Sequence, residues 1–386
     1  MHTFLWALAR IFIIGGILGF LMSRWFGINT PLMKKNPPSE EMLSARIHLP
    51  PGFSISVYAK DLPDVRMLRF TEAGDLLASL PTEGRIVLLE RDADSDGAPD
   101  GRSDLVTGLN RPHGVDYYQG QLYVAETDAI GRIAFNPKTR KTQGEYEQVV
   151  TGIPGGSNHW TRTLRFGPDG LMYVSVGSSC NVCEEKNPKR AAMLRYTPDG
   201  GQDELFATGL RNTVGFDWHP DTHELFGVDN GRDFLGDDFP PEELNRIEQG
   251  KFYGWPYANG NKIPDPDLGA GHEEQIRNSL PPVHEFAAHT APLGMTFLRN
   301  KNLPPEFKNS ALVALHGSWN RTEKTGYKVV SLHFGPKGTI TERDFISGFE
   351  FQGDVIARPV DVAEGPDGAI YISDDFTGSI YRVSRP

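Results

Sequence analysis

Short apolar runs alternate with glycine-containing turns along this chain, and one unit of that pattern recurs. A turn followed by a β-rich run appears at Ala73-Gly74-Asp75-Leu76-Leu77, Gln119-Gly120-Gln121-Leu122-Tyr123-Val124 and Asp169-Gly170-Leu171-Met172-Tyr173-Val174. It returns at Thr222-His223-Glu224-Leu225-Phe226, Asn309-Ser310-Ala311-Leu312-Val313 and Asp367-Gly368-Ala369-Ile370-Tyr371-Ile372. A second apolar run follows each copy, at 85–89, 131–135, 191–196, 243–247, 328–333 and 379–383. Turn residues beside β-branched and aromatic runs predict strands. A spacing of roughly 45–75 residues suits four-stranded blades with inserted loops. Six copies predict an all-β, six-bladed β-propeller over residues 51–386. A further strand at 53–59 is expected to complete the last blade, closing the ring and removing its sheet edges. A two-sheet sandwich does not explain a repeat of this length.

The N-terminus breaks the pattern. Residues 4–26 are apolar except for Arg10 and Arg24. About 20 such residues can span a bilayer, and no small-x-small cleavage site precedes Arg24. A transmembrane helix serving as an uncleaved anchor over residues 1–26 is therefore expected in preference to a cleaved signal peptide. Lys34 and Lys35 follow the span and Arg10 opens it, so charge leaves the orientation open. Residues 27–50, with Pro31, Pro37, Pro38 and Pro50, read as a linker.

Composition agrees with a turn-rich fold: 42 glycines, 29 prolines and 10% aromatics among 386 residues. The net charge of −11 argues against non-specific nucleic-acid binding, which needs a basic face. The only two cysteines, Cys180 and Cys183, lie in Ser-Cys-Asn-Val-Cys-Glu. No histidine follows them, so haem attachment is excluded. A local disulfide or two buried thiols remain.

Several groups offer chemistry. His159, in Gly155-Gly156-Ser157-Asn158-His159-Trp160, has the side chain of a general base near neutral pH. Arg211-Asn212 pairs a bidentate cation with an amide, suited to a carboxylate or carbonyl. Arg358 precedes the last turn-strand unit and Arg321 follows His316-Gly317-Ser318-Trp319-Asn320; on a ring, such arginines are candidates to converge on one anion. Asp92, Asp94 and Asp96, followed by Gly97, have the oxygen spacing of a calcium loop, though Ser103 stands where an EF-hand carries its glutamate. A calcium site or a solvated acidic turn both fit. Residues 229–238 form a second acidic loop, inside the longest insertion, between Phe226 and Leu312.

Taken in order, the run from His159 through Gly170, Gly209-Leu210-Arg211-Asn212, Glu243-Leu244-Asn245 ahead of Tyr253-Gly254-Trp255-Pro256, and the run from Arg358 to Gly368 resemble the glucose/sorbosone dehydrogenases. These are six-bladed quinoproteins using pyrroloquinoline quinone (PQQ). Ser-Cys-Asn-Val-Cys and His316-Gly317-Ser318-Trp319 look most like the sorbosone dehydrogenase branch. The resemblance implies a histidine base, at His159, that takes a proton from a sugar hydroxyl while hydride passes to PQQ. It implies that Arg211 and Asn212 bind the cofactor, with Arg211 polarising the quinone. It implies that Arg358 binds cofactor carboxylates; Arg321 is the candidate to substitute for a family lysine that this chain lacks. It implies a calcium held by backbone carbonyls near Gly231, Arg232 and Tyr253. The chain departs from the family at Val214, Val360 and Gly317, where the family carries a glutamine, a second arginine and a lysine. The expected protein is therefore a membrane-anchored dehydrogenase of aldoses or aldehyde sugars, with its propeller outside the cytoplasm, in the periplasm. It would pass electrons to a separate cytochrome or membrane quinone. Its rivals are a calcium-dependent propeller lactonase using Asp229 and Asn230, and a non-enzymatic binding module.

Overall fold

A computed structural model describes residues 34–156 and 158–385. Six sheets form a ring, as the repeat predicts: five have four strands, and the third has a fifth, Lys251–Phe252, paired in parallel at its outer edge. In chain order the blades occupy residues 68–106, 114–151, 162–208, 213–286 and 292–346, and the sixth begins at 359. Neighbouring blades meet through their first strands, which line the axis. The approach there is close enough to demand glycine. A Cβ on Gly114 would lie 2.5 Å from the Leu164 backbone nitrogen, and one on Gly215 2.2 Å from the Leu293 carbonyl oxygen. Farther out, apolar faces pack blade against blade. Phe226, Val228 and Phe286 of the fourth meet Met295, Phe297 and Val313 of the fifth, all buried.

The sixth blade takes its outer strand from the start of the chain. Ser54–Ala59 pairs antiparallel with Ser379–Ser384, Ser54 opposite Ser384. The linker expectation is corrected from Lys34 onward. Glu40–Arg46 is a short helix, capped by the Ser39 side chain, and it buries Leu43 completely among residues of the last two blades. Arg46 pairs with Asp354 at 2.7 Å, and His48 bridges to Ser347. One apolar anchor, one ion pair and one backbone bridge thus dock a segment that its prolines mark as extended. The expected transmembrane helix over residues 1–26 lies outside the described residues. Among the described residues, no helix is long and apolar enough to cross a membrane.

Loops that lead into the first strand of each blade, and those joining second and third strands, lie at one end of the ring. Every candidate residue from His159 to Arg358 is carried there. The opposite end opens as a cavity of about 670 Å3, whose lining includes Phe70, Tyr117 and Trp218 and the ion pair of buried Asp217 with the partly exposed Arg299.

Candidate active site

Gly177 is the pivot of the site. It ends the second strand of the third blade, and a Cβ there would lie 2.5 Å from His159 Cβ and 2.6 Å from Asn212 Oδ1. Its lack of a side chain therefore lets His159 and Asn212 come together from two different loops. His159 sits at φ +39°, a left-handed conformation in which histidine is enriched over most residues. Its carbonyl is held by Arg162, fully buried, at 2.8 Å.

The hydrogen bonds select the imidazole tautomer. Nδ1 lies 3.0 Å from the Ser178 carbonyl oxygen and 2.8 Å from Ser178 Oγ. The Ser178 hydroxyl donates its one proton to the Cys180 carbonyl at 2.7 Å. Both oxygens facing Nδ1 are thus acceptors, and Nδ1 must carry the proton. Nε2 is left as a bare lone pair with no partner among the described residues. Burial, then the nearby Arg211 charge, lowers the His159 pKa to about 3 despite the Ser178 carbonyl. The ring is neutral at pH 7, the form that accepts a proton.

Arg211 is 5% exposed and held from two sides. Its Nε donates to the Asn181 carbonyl and Nη2 to Asn181 Oδ1, both at 2.9 Å, while Nη1 donates to the Asn230 carbonyl at 3.0 Å. Asp233 stands 3.6 Å from Nη2. Asn181 also accepts the Asp233 N–H at 2.8 Å. Cys180 and Cys183 are joined in a disulfide, so Asn181 sits inside a closed four-residue loop. That loop fixes Arg211 through Asn181, and Ser178 just before it fixes His159. The Asn212 Oδ1 beside them is buried without a hydrogen-bond partner among the described residues.

A third cluster centres on Asp375. It receives Arg66 at 2.7 Å, Arg358 Nε at 2.8 Å and His316 Nε2 at 3.1 Å. Burial opposes its ionisation, but His316, Arg66 and Arg358 outweigh that and hold the carboxyl well below its usual range. Burial, then Arg358, lowers His316 to about 4, so it donates as a neutral ring. Arg358 spends only Nε on this contact, and its two terminal nitrogens have no hydrogen-bond partner among the described residues. Arg66 also lies 5.9 Å from the Trp160 ring, next to His159, and Arg111 stacks on that ring at 3.9 Å. His159, Asn212, Arg211 and Arg358 therefore share one end of the axis.

Other expectations change. Arg321 gives its guanidinium to the Asp237 carbonyl and to Asp238, and no contact joins it to this group among the described residues. Asp229 accepts from the Asn212 N–H and Thr213 Oγ1, while Asn230 donates to the Pro292 carbonyl. Asp229 joins no cluster of metal-ligating carboxylates, histidines or cysteines among the described residues. The acidic loop at 229–238 spends Asp233 and Asp238 on arginines instead of gathering them. In the first acidic turn the converging carboxylates are Asp92, Asp94 and Asp100; Asp96 instead accepts the Ala98 N–H. Asp100 takes its place because the turn folds back onto the Ala93 N–H.

The proposed carbonyl ligands are mixed. The Gly231, Arg232 and Tyr253 carbonyls accept no hydrogen bond among the described residues. Gly231 donates its N–H to Glu242, and the next residue, Glu243, accepts from the Gly260 N–H of the hairpin after Tyr253. Burial raises both glutamates to about 8. Free carbonyls near buried carboxyls whose ionisation burial opposes suit a hard cation, whose charge would favour the ionised form. No contact brings Tyr253 to Gly231 or Arg232 among the described residues, and the Arg232 side chain is spent on Asp265 and Asp267.

The TrAA12-like family model matches residues 47–386. The chain belongs to that family. A protein of Borreliella burgdorferi without an assigned function is 35% identical over 294 residues, covering 71% of this chain and 76% of that one. The pyrroloquinoline quinone-dependent pyranose dehydrogenase of Coprinopsis cinerea is 24% identical over 382 residues, and the match covers 80% of this chain but only 52% of that longer protein. The holo form of its PQQ domain superposes with a TM-score of 0.75 at 21% identity, covering 88% of this chain and 97% of the domain. The calcium structure of the Trichoderma reesei AA12 enzyme gives 0.77 at 22% identity, covering 92% and 99%. The match is to the TrAA12-like family, and it does not single out the sorbosone branch. Sequence reasoning missed Asp375, Arg66, Ser178 and Asn181 in this TrAA12-like site. The cysteines flanking Asn181 were its one available signal.

Proposed function

We propose that the chain is a quinoprotein dehydrogenase that oxidises an aldose or related aldehyde sugar with PQQ and calcium. The observation that carries this reading is the bare Nε2 of His159, with Asn212 and Arg211 beside it. PQQ, when bound, supplies the acceptor for the hydride of the substrate carbon. The chain's residues do the rest. His159 Nε2 takes the proton of the substrate hydroxyl, and its protonated Nδ1, held by Ser178, keeps the ring oriented. Asn212, with an unspent amide, and Arg358, with two free nitrogens, suit a polar cofactor bearing carboxylates. Arg211, buried and fixed, sets a positive field where negative charge develops. Gly231, Arg232 and Tyr253, through their backbone carbonyls, with Glu242, are the candidates that would hold the calcium. Asp92, Asp94 and Asp100 offer a second calcium position at the rim of the first blade.

The finer parts of the reading are an aldehyde sugar of the sorbosone kind, an N-terminal anchor over residues 1–26, and a propeller held outside the cytoplasm. The Cys180–Cys183 disulfide supports an oxidising compartment. With no haem motif in the chain, a separate cytochrome or membrane quinone would take the electrons. Reconstitution tests the reading. The full chain is loaded with PQQ and calcium, and dye reduction is followed against aldoses and aldehyde sugars. Reduction that needs both additions supports it. A folded protein that binds no PQQ refutes it.

A further inference from the structure

Two aromatic rings beside this site are unusually open to water. Phe234 is 55% exposed and Trp319 51%, and they touch edge to face, with centroids 5.6 Å apart and planes at 86°. They come from separate blades, on the loops after the second strands of the fourth and fifth. Solitary exposed apolar residues need no explanation, but two large rings meeting across a loop boundary do.

Both rings are anchored next to Arg211. Phe234 follows Asp233, whose N–H is fixed by Asn181 and whose carboxylate faces Arg211 at 3.6 Å. Trp319 precedes Asn320, which is 4% exposed and reaches Asp233 Oδ1 at 3.5 Å. Phe234 adopts φ +70°, a conformation bulky residues rarely take. The loops are thus clamped at Asp233 and Asn320, and the rings stand on the outer side of the clamp.

We infer that Phe234 and Trp319 form the platform for the pyranose ring of the substrate, an inference that rests on the dehydrogenase reading. A sugar ring has an apolar C–H face and a polar rim. Two rings at right angles offer a corner of matching shape, and water leaves both faces when it fills. The Trp319 indole N–H, with no partner among the described residues, and the Asp233 carboxylate are placed to meet hydroxyls at the rim. Arg321 is paired with Asp238, so that cation is not left free for an anionic ligand.

The test compares a cyclic aldopyranose with glyceraldehyde, which has no ring, on the PQQ- and calcium-loaded full chain. Trp319→Ala is expected to lower the ratio of their kcat/KM values about tenfold, through the KM of the pyranose. Trp319→Phe should restore most of it, and Phe234→Ala should act in the same direction. An unchanged ratio, or an effect only on the KM of a protein electron acceptor, overturns the platform. A second readout needs no turnover. Pyranose should change the tryptophan fluorescence of the full chain, and Trp319→Phe should abolish the change. That change without dehydrogenase activity would keep the platform and sink the dehydrogenase reading. Activity without it would do the reverse.

Discussion

Replacing Asn181 by alanine tests whether the disulfide loop sets the site. The side chain makes two hydrogen bonds through Oδ1, to Arg211 Nη2 at 2.9 Å and the Asp233 N–H at 2.8 Å, and one from Nδ2 to the Asp233 carbonyl at 3.2 Å. A hydrogen bond to a charged group contributes about 1.5–3 kcal/mol and a neutral one about 1 kcal/mol. Arg211 is 5% exposed, so water replaces its lost acceptor poorly. The total is about 3–5 kcal/mol, divided between stability and the energy of placing Arg211. If half falls on placement, PQQ affinity drops about 10- to 50-fold, since each 1.4 kcal/mol is a factor of ten. The assay is a PQQ titration with calcium present, alongside thermal unfolding of apo and holo protein. Asn181→Asp keeps the acceptor and loses the donor, and should fall between the two. Reducing the Cys180–Cys183 bond should mimic the alanine variant. Wild-type PQQ affinity in Asn181→Ala, with Tm lowered alone, would refute the argument: Asn181 would then support the loop and not the site.

Other expectations concern single groups. His159→Gln should lower turnover by about 100-fold or more while PQQ affinity stays within a few-fold, because Nε2 is lost as a base and the loop is kept; unchanged turnover assigns the proton transfer elsewhere. Arg358→Ala should weaken PQQ binding more than turnover at saturating cofactor, and equal affinity in a titration removes Arg358 from the site. Stability should depend on pH through His159. Its folded pKa, about 3, lies below the unfolded value near 6.5. The unfolded chain therefore takes up a proton the folded one refuses, and stability falls as pH drops from about 6.5 toward 3. Wild type should accordingly lose more Tm than His159→Gln between pH 7 and pH 4; parallel curves would mean the ring is not buried as described. Glu242 shows the opposite sign. With its folded pKa raised to about 8, it costs stability as pH rises from about 4.5 toward 8. Calcium bound beside it should raise Tm more at pH 8 than at pH 6, and chelation should reverse that gain.

The ring is legible in the sequence because its information is local. Each blade repeats a turn and an apolar run, and Asp169-Gly170 or Asp367-Gly368 needs no distant partner to be read. His159 and Arg211-Asn212 are legible as unusual residues in glycine-rich loops. Asp375 is not. Its partner Arg66 lies 309 residues away, and nothing near either residue announces the other. The segment from Lys34 to Pro50 misleads for a different reason. A single seven-residue helix with one buried leucine is too short to show a period, and its stability comes from docking. The acidic loop at 229–238 is legible as charge but not as destination: its carboxylates answer arginines from neighbouring segments.

The strand at Ser54–Ala59 makes the two ends of the chain interdependent, with Ser54 joined to a residue 330 positions later. Synthesis runs from the N-terminus, so this strand emerges early and waits for its partner until Ser379–Ser384 has been made. Until then the nascent chain carries an open sheet edge at each end of an incomplete ring, the condition under which strands pair with the wrong neighbour. Ring closure is therefore an all-or-none event that waits for Ser379–Ser384, and a chain cut before that strand is left with an unsealed ring in place of a slightly shorter propeller.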